Sequence, residues 1–580
     1  MSSFPSRGLA PIRMPKASTA VAIAQPDGWT IDAAVLDFAI AAGNGSASNP
    51  VGTSGDRAVL GNIARSAYGL SGAGVTIGIL SDSFNLKGGY AADIASGALP
   101  AGVTILEDGP SGSGDEGRAM AQLIHQIAPD AHLMFYSAFR SEADFASGIK
   151  ALAAAGANII VDDVTYLDEP FFQQGSAISL AVADVVSQGV SYFSAASNQG
   201  NTYYESIFNG ITAPLPGLPG NYQTMNFGTP ATPRPTQSLT IATGAAVSID
   251  LQWDQPFASI GTGHASANSL ALVLYDDHDK IVASAVANRT NGDPVQVLRF
   301  TNSTGSTSFH LGIITNGGAI VPHLFKYIVY GHGVTINDPN AGQGSGTVIG
   351  HALTQGANAV GAIAAGNAPS LGGNGVPEAF SAYGSGTFLF DAQGNRIAVP
   401  ISGSKVDFVA PDGVTTSVFS PFSGTSAAAP QAAAVAALML QAAPGLTPSM
   451  VTGILEQTAL PLSGPASQVG AGLIQAPGAV QQALAALATT SAAAAPRGFG
   501  AAIPGAATPS WTTVTAPASS LVQAAIGAIG QDPAAAADFT TAFAAAAAPP
   551  PPPGAAFAVT SNATADVIAS LPDWQHAYTS

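Results

Sequence analysis

A serine at the junction of a glycine turn and an alanine-rich helix constrains this chain more than any other feature. In Phe422-Ser423-Gly424-Thr425-Ser426-Ala427-Ala428-Ala429-Pro430 the turn runs straight into a helix-forming segment. Such a turn exposes the Ser426 hydroxyl, and the N–H groups and positive end of the helix favour negative charge developing beside it. Val435, Leu438, Met439 and Ala442 follow at helical spacing, an apolar stripe that predicts burial against a core. Taken alone, the segment also reads as a Gly-Thr-Ser turn that N-caps a helix.

Other segments favour the reactive reading. Val75-Thr76-Ile77-Gly78-Ile79-Leu80 is an apolar run suited to a fully buried parallel strand, and Ser81-Asp82-Ser83-Phe84 follows it. Gly189-Val190-Ser191-Tyr192-Phe193-Ser194-Ala195-Ala196-Ser197-Asn198 is a second buried strand that ends on Asn198. Lys405-Val406-Asp407-Phe408-Val409-Ala410-Pro411-Asp412-Gly413 precedes the serine turn. In this order the four segments resemble the subtilisin clan of serine peptidases, whose nucleophile motif is G-T-S-x-x-x-P. The resemblance covers residues 56–485 apart from an insertion. It implies a parallel sheet flanked by helices, Ser426 as nucleophile, Asp82 as the strand-end aspartate and Asn198 as the amide donor to the oxyanion.

The chain departs from that pattern at the general base. Where subtilisins place a histidine at the start of a helix, Asp115-Glu116-Gly117-Arg118-Ala119-Met120-Ala121-Gln122-Leu123-Ile124-His125 offers Glu116. A carboxylate can accept the serine proton when burial and a neighbouring carboxylate, here Asp82, raise its pKa. A serine, glutamate and aspartate set resembles the sedolisins, the acid-acting branch of the clan. That match is partial, because sedolisins carry a second carboxylate where this chain has Met120 and an aspartate where it has Asn198. The resemblance implies endopeptidase action at acid pH on protein or peptide substrates. The rival expectation is an inactive relative that binds peptides in the same cleft.

Four further groups compete for roles. His125, on the same expected helix as Glu116, faces the opposite side at about 100° per residue and lies about 13 Å further along. His351, in Ile349-Gly350-His351-Ala352, reads either as a satisfied core histidine or as a base reaching the site from elsewhere. Asp115 either competes with Glu116 or favours the helix N-terminus by its charge. Asp162 and Asp163 end the buried run Ala157-Asn158-Ile159-Ile160-Val161, which suits substrate contact, a shared proton or a turn anchor.

Composition narrows the class. Of the 580 residues only 9% are charged, against about 25% in a typical domain, so the surface must be largely small and polar. A formal charge of −18 argues against nucleic acid as a partner. With no cysteine, disulfides, thiol nucleophiles and thiolate metal sites are excluded together. No apolar run approaches the roughly 18 residues of a membrane span. Residues 1–55 carry Arg7, Arg13 and Lys16 before a weakly apolar Ala17–Ala24 stretch, an incomplete targeting or pro-segment pattern. Secretion is expected from composition and resemblance, not from a clean signal.

The expected organisation is a core in two parts, residues 56–203 and 341–485, around a β-rich insertion at 204–340. Runs such as Val247–Trp253, Leu270–Tyr275 and Phe325–Tyr330 have strand character, period-two alternation is clear in several such runs, and together they predict a β-sandwich or jelly roll. Asp276-Asp277-His278-Asp279-Lys280 reads as a hairpin turn whose three aspartates could also hold structural calcium; no other cofactor is implied. From 486 to 580 the chain is Ala- and Pro-rich, with Pro549–Pro553 suited to polyproline II.

Overall fold

The computed structural model describes residues 53–493 apart from 262, 287–291, 319–321 and 404. The expected targeting segment before residue 53 and the tail beyond 493 lie outside the described residues. In chain order the strands begin with β1 (Thr76–Ser81), β2 (Thr104–Glu107), β3 (His132–Ser137), β4 (Ile159–Asp162) and β5 (Ser191–Ala195). Then come β6 (Tyr203–Ile207), β7 (Gly210–Pro214), β8 (Asn221–Met225), β9 (Gln237–Ile241), β10 (Ala246–Trp253), β11 (Asn268–Asp276), β12 (Ile281–Val286), β13 (Val295–Thr301), β14 (Ser308–Gly318), β15 (Leu324–Gly331) and β16 (Val334–Ile336). The last are β17 (Ala357–Ala364), β18 (Thr387–Phe390), β19 (Arg396–Ser402) and β20 (Phe408–Asp412). The helices are α1 (Ser54–Ala58), α2 (Gly61–Tyr68), α3 (Tyr90–Ser96), α4 (Glu116–Ile127), α5 (Glu142–Ala154), α6 (Ala177–Ser187), α7 (Thr425–Ala442), α8 (Pro448–Thr458), α9 (Ala466–Val469) and α10 (Ala476–Ala493).

Seven strands form one sheet in the order β2-β3-β1-β4-β5-β17-β20, and every neighbouring pair in it is parallel. Parallel strands need helical crossovers that cover both faces, which is why Ile77–Leu80 of β1 and Ile159–Val161 of β4 are unbroken apolar runs. Ile77 and Ile79 of β1 pack on the side of α4 and α7, while Leu80 packs with Phe145, Ile149, Ile178 and Val182 of α5 and α6. The expected stripe on α7 underestimates its burial. Thr425 and every residue from Ala427 to Leu440 are buried, and Ser426 is the one partly open position among them, because α4 and α10 pack over the helix on the side away from the sheet. α10 also runs to Ala493, past the expected boundary at 485.

The insertion consists of two antiparallel sheets. One has the order β13-β10-β15-β6, and the other β12-β11-β14-β8-β7, with β9 joining β14 and β16 joining β9. Alternation explains the packing. Ile249, Leu251 and Trp253 of β10 face Leu270, Leu272 and Leu274 of β11 in a shared apolar core. Between them Gln252 turns towards the peptidase core, donating to the carbonyl of Glu169 (2.9 Å) and accepting from the Phe171 N–H (2.8 Å). In the hairpin turn after β11, Asp276 Oδ1 accepts the N–H groups of His278 and Lys280, both at 2.9 Å. Asp277 pairs with His278 (2.6 Å) and Ser306 (2.9 Å). Asp276, Asp277 and His278 lie close enough to share an ion, Asp279 is not one of that group, and these bonds account for the turn without one.

Candidate functional site

The carboxyl ends of β1, β4, β5 and β20 converge on the N-termini of α4 and α7. Asp82 follows β1 directly and is fully buried. Its carboxyl accepts the backbone N–H of Glu116 at 2.8 Å and those of Ser83 and Gly114. Asp82 therefore satisfies donors that the start of α4 would otherwise leave open, and holds that helix end against β1. Burial raises its pKa, and the backbone donors work against that rise.

Glu116 is the first residue of α4 and only 8% exposed. Its carboxyl faces the side chains of Asp163 and Ser426, whose donors act on it. Burial, reinforced by the negative charge of Asp82, pushes Glu116 up to about 8, and the hydrogen bonds from Asp163 and Ser426 oppose the rise. Asp115, in contrast, turns away from Ser426. It sits in a left-handed conformation (φ 63°) before the helix. It accepts from Ser83 Oγ (2.9 Å), the N–H groups of Leu86 (2.8 Å) and Lys87 (3.1 Å), and Arg118 (3.2 Å), so it anchors the 83–87 loop. Met120, one turn along, is in the apolar core, and His125 lies in the last turn of α4.

On the other side of Ser426, Asn198 Oδ1 accepts the N–H (2.8 Å) and hydroxyl (2.9 Å) of Thr425. That fixes the amide orientation and leaves Nδ2 as the donor end, beside Gly424. Gly424 adopts φ 98°, and a Cβ there would come within 3.1 Å of Asn198 Nδ2, so the turn needs glycine. Its N–H donates to Asp412 Oδ2 at 2.8 Å. Asp412 is buried, and burial pushes it to about 7. In the sequence Asp412 stands only within the segment that precedes the serine turn; the Pro-Asp-Gly turn at the end of a buried strand is the signal that marks it. The N–H of Ser426 belongs to the first turn of α7, where donors lack helical partners.

Ser426, Glu116, Asp82, Asn198 and Asp163 thus come together, but Asp162 does not join them. Adjacent residues on a strand point to opposite faces. Asp162 is fully buried on the far side, where Oδ1 accepts from Ser194 Oγ (2.9 Å) and lies 3.1 Å from His351 Nε2. His351 Nδ1 is 2.7 Å from Glu169 Oε2. Although burial alone would lower it, the charges of Glu169 and Asp162 hold His351 well above its ordinary value. The expected cleft role for Asp162 is corrected to this buried network, and His351 is a satisfied core cation with both ring nitrogens engaged away from Ser426.

The model of the subtilase family matches residues 101–472. Among solved structures, the CspB protease of Clostridium perfringens shares 13% identity, covering 74% of this chain and 99% of its own, at a TM-score of 0.48. MycP1 from Mycobacterium smegmatis shares 15% over 75% and 86% at 0.33. A lanthipeptide protease shares 13% over 73% and 94% at 0.36. No curated protein sequence matches the chain.

Proposed function

From the premise that the chain belongs to the subtilase family and is a serine-type peptidase, we propose that Ser426, Glu116 and Asp82 form its catalytic group and that it is an endopeptidase. The observation that carries this reading is the buried Glu116 carboxyl facing the hydroxyl at the mouth of α7, with Asp82 behind it. Ser426 Oγ attacks the scissile carbonyl and passes its proton to Glu116. The tetrahedral oxyanion is met by Asn198 Nδ2 and the Ser426 N–H. Glu116 then returns the proton to the leaving amine, and a water activated by the same carboxylate releases the acyl group from Ser426. Asp82 fixes the start of α4, and its charge makes Glu116 a stronger base.

The residue types imply activity in acid, yet burial works against it. Glu116 must be ionised to accept the proton, and a base raised to about 8 loses its ionised fraction as pH falls. The working range we infer is therefore near neutral and above. Its substrates are unfolded proteins or peptides. An extracytoplasmic location is favoured by the low content of charged residues and by the family. Among the described residues no helix is long and apolar enough to cross a membrane.

The test is a fluorophosphonate probe together with cleavage of an unfolded protein substrate from pH 3 to 9. Ser426 should be labelled, and Ser426→Ala should lose both labelling and cleavage. Undiminished cleavage in Ser426→Ala would end this assignment; tight peptide binding without cleavage at any pH would favour the inactive peptide-binding relative.

A further inference from the structure

Asp163 is the residue whose position the mechanism above leaves unexplained. It follows β4 directly, on the face opposite Asp162, and its side chain meets Glu116. Two buried carboxyl groups that face each other cannot both be ionised without strong repulsion, so the pair must share at least one proton. Where that proton rests is decided by the surroundings. Asp163 Oδ2 is enclosed and has no hydrogen-bond partner, an environment costly for a carboxylate and tolerable for a neutral acid. The ionisable groups that act on Asp163 most, Glu116, Asp82 and Asp162, are all acids. A hydroxyl favours each anion, Ser426 that of Glu116 and Ser81 that of Asp163, so the enclosed, unpartnered Asp163 Oδ2 is what distinguishes the two. The backbone that carries Asp163 is held by the Asp162, His351 and Glu169 network immediately before and beneath it.

We propose that Asp163 is the proton-holding partner of Glu116, remaining in the acid form and donating its O–H to the Glu116 carboxylate, which is thereby left anionic and aligned on Ser426. This rests on the reading of Glu116 as the base. Asp163 is a positioning residue, since it acts through Glu116 and forms no bond with substrate. It also gives Met120 a rationale. The second carboxyl that sedolisins carry on the helix is supplied here from β4, so the helix position is free to be apolar core. Burial and the charge of Glu116 both raise Asp163, in keeping with a group that keeps its proton while Glu116 loses one.

Two substitutions separate this role from substrate contact. Asp163→Asn keeps a donor facing Glu116 and should retain kcat/KM within about tenfold at the high-pH plateau. Asp163→Ala removes the donor and should move the acid limb of kcat/KM up by about one pH unit, with the plateau less affected. An unmoved acid limb in both variants, with KM changed for particular substrate side chains, would overturn the proposal and make Asp163 part of the substrate cleft. Infrared spectra of the Ser426→Ala protein test the proton without requiring peptidase activity. One carboxylic acid C=O band, read in the difference spectrum at about pH 9.5 where Glu116 has lost its proton, should disappear in Ser426→Ala with Asp163→Asn. Its persistence would overturn the proposal even if the protein proves inactive; its loss would support it in that same case.

Discussion

Replacing Glu116 by glutamine separates chemistry from folding, because the two consequences have different sizes and different pH dependence. Glutamine preserves volume, and the Glu116 N–H that binds Asp82 at 2.8 Å belongs to the backbone, so the start of α4 stays in place. The amide cannot accept a proton and return it. Loss of a positioned general base costs about 10² to 10⁴ in kcat, and Glu116→Gln should fall in that range across the pH profile. Stability should move the other way. A buried carboxyl raised from 4.5 to about 8 binds more protons in the folded than in the unfolded chain between those values, so stability declines as pH rises through that window. At about 1.4 kcal/mol per pH unit the upper bound is about 5 kcal/mol, and sharing of the charge with Asp82 and Asp163 reduces it. Glutamine removes this loss. With about 1 °C per kcal/mol for a folded unit of this size, Glu116→Gln should melt up to about 5 °C higher than its parent at pH 8.5 and equally at pH 4.5. The melts are best made in the Ser426→Ala background, which prevents self-digestion, and the rates in the active protein. A kcat loss under about tenfold, or a melting difference that shrinks as pH rises, would refute the assignment of Glu116 as a buried, titrating base.

Asn198→Ala removes a side-chain donor to the oxyanion and should lower kcat by about 10² to 10³, a range whose worked example is subtilisin itself, with KM little changed in steady-state assays. The kcat/KM profile of the unsubstituted enzyme should fall about tenfold per pH unit below an apparent value near 8; a single limb at an imidazole-like value near 6.5 would point to a histidine. His351→Ala should destabilise by about 3 to 5 kcal/mol, since it leaves Asp162 and Glu169 buried without their cation; thermal melts check this, and the acid limb of the surviving activity should not move. Asp115→Asn should weaken the 83–87 anchor, costing about 1 to 3 kcal/mol in melts with kcat reduced far less than in Glu116→Gln.

Much of the core was legible because buried parallel strands leave uninterrupted apolar runs, as in Ile77–Leu80 and Ile159–Val161, and because a Gly-Thr-Ser turn before an alanine-rich helix has few other uses. Seven strands of the insertion were legible from alternation or β-branched content. β6, β7, β8 and β16 were not: Tyr203-Tyr204-Glu205-Ser206-Ile207 and Gly210-Ile211-Thr212-Ala213-Pro214 mix polar and apolar residues because neighbouring strands and the core cover them unevenly, and β16 is only three residues long. Glu116 could be singled out because a family pattern located it. The separation of Asp162 from Asp163 depended on which face of β4 each occupies, and a run buried on both faces carries no alternation to tell them apart. The burial of Asp412 and its bond to Gly424 join residues of neighbouring turns and have no signature in one-dimensional spacing.

β5 and β17 are hydrogen-bonded neighbours in the core sheet, yet the whole two-sheet insertion lies between them in the chain. Their pairing is a contact of long sequence separation, and such contacts form late because loop closure must precede them. Once folded, the insertion shortens that loop by bringing its own two ends together. Asn198 comes from the chain before it and Ser426 from the chain after it. On the proposed assignment, a chain that has emerged only through the insertion therefore holds Glu116, Asp82 and Asn198 but lacks Ser426, and the group is completed only when β17, β20 and α7 follow and join the sheet.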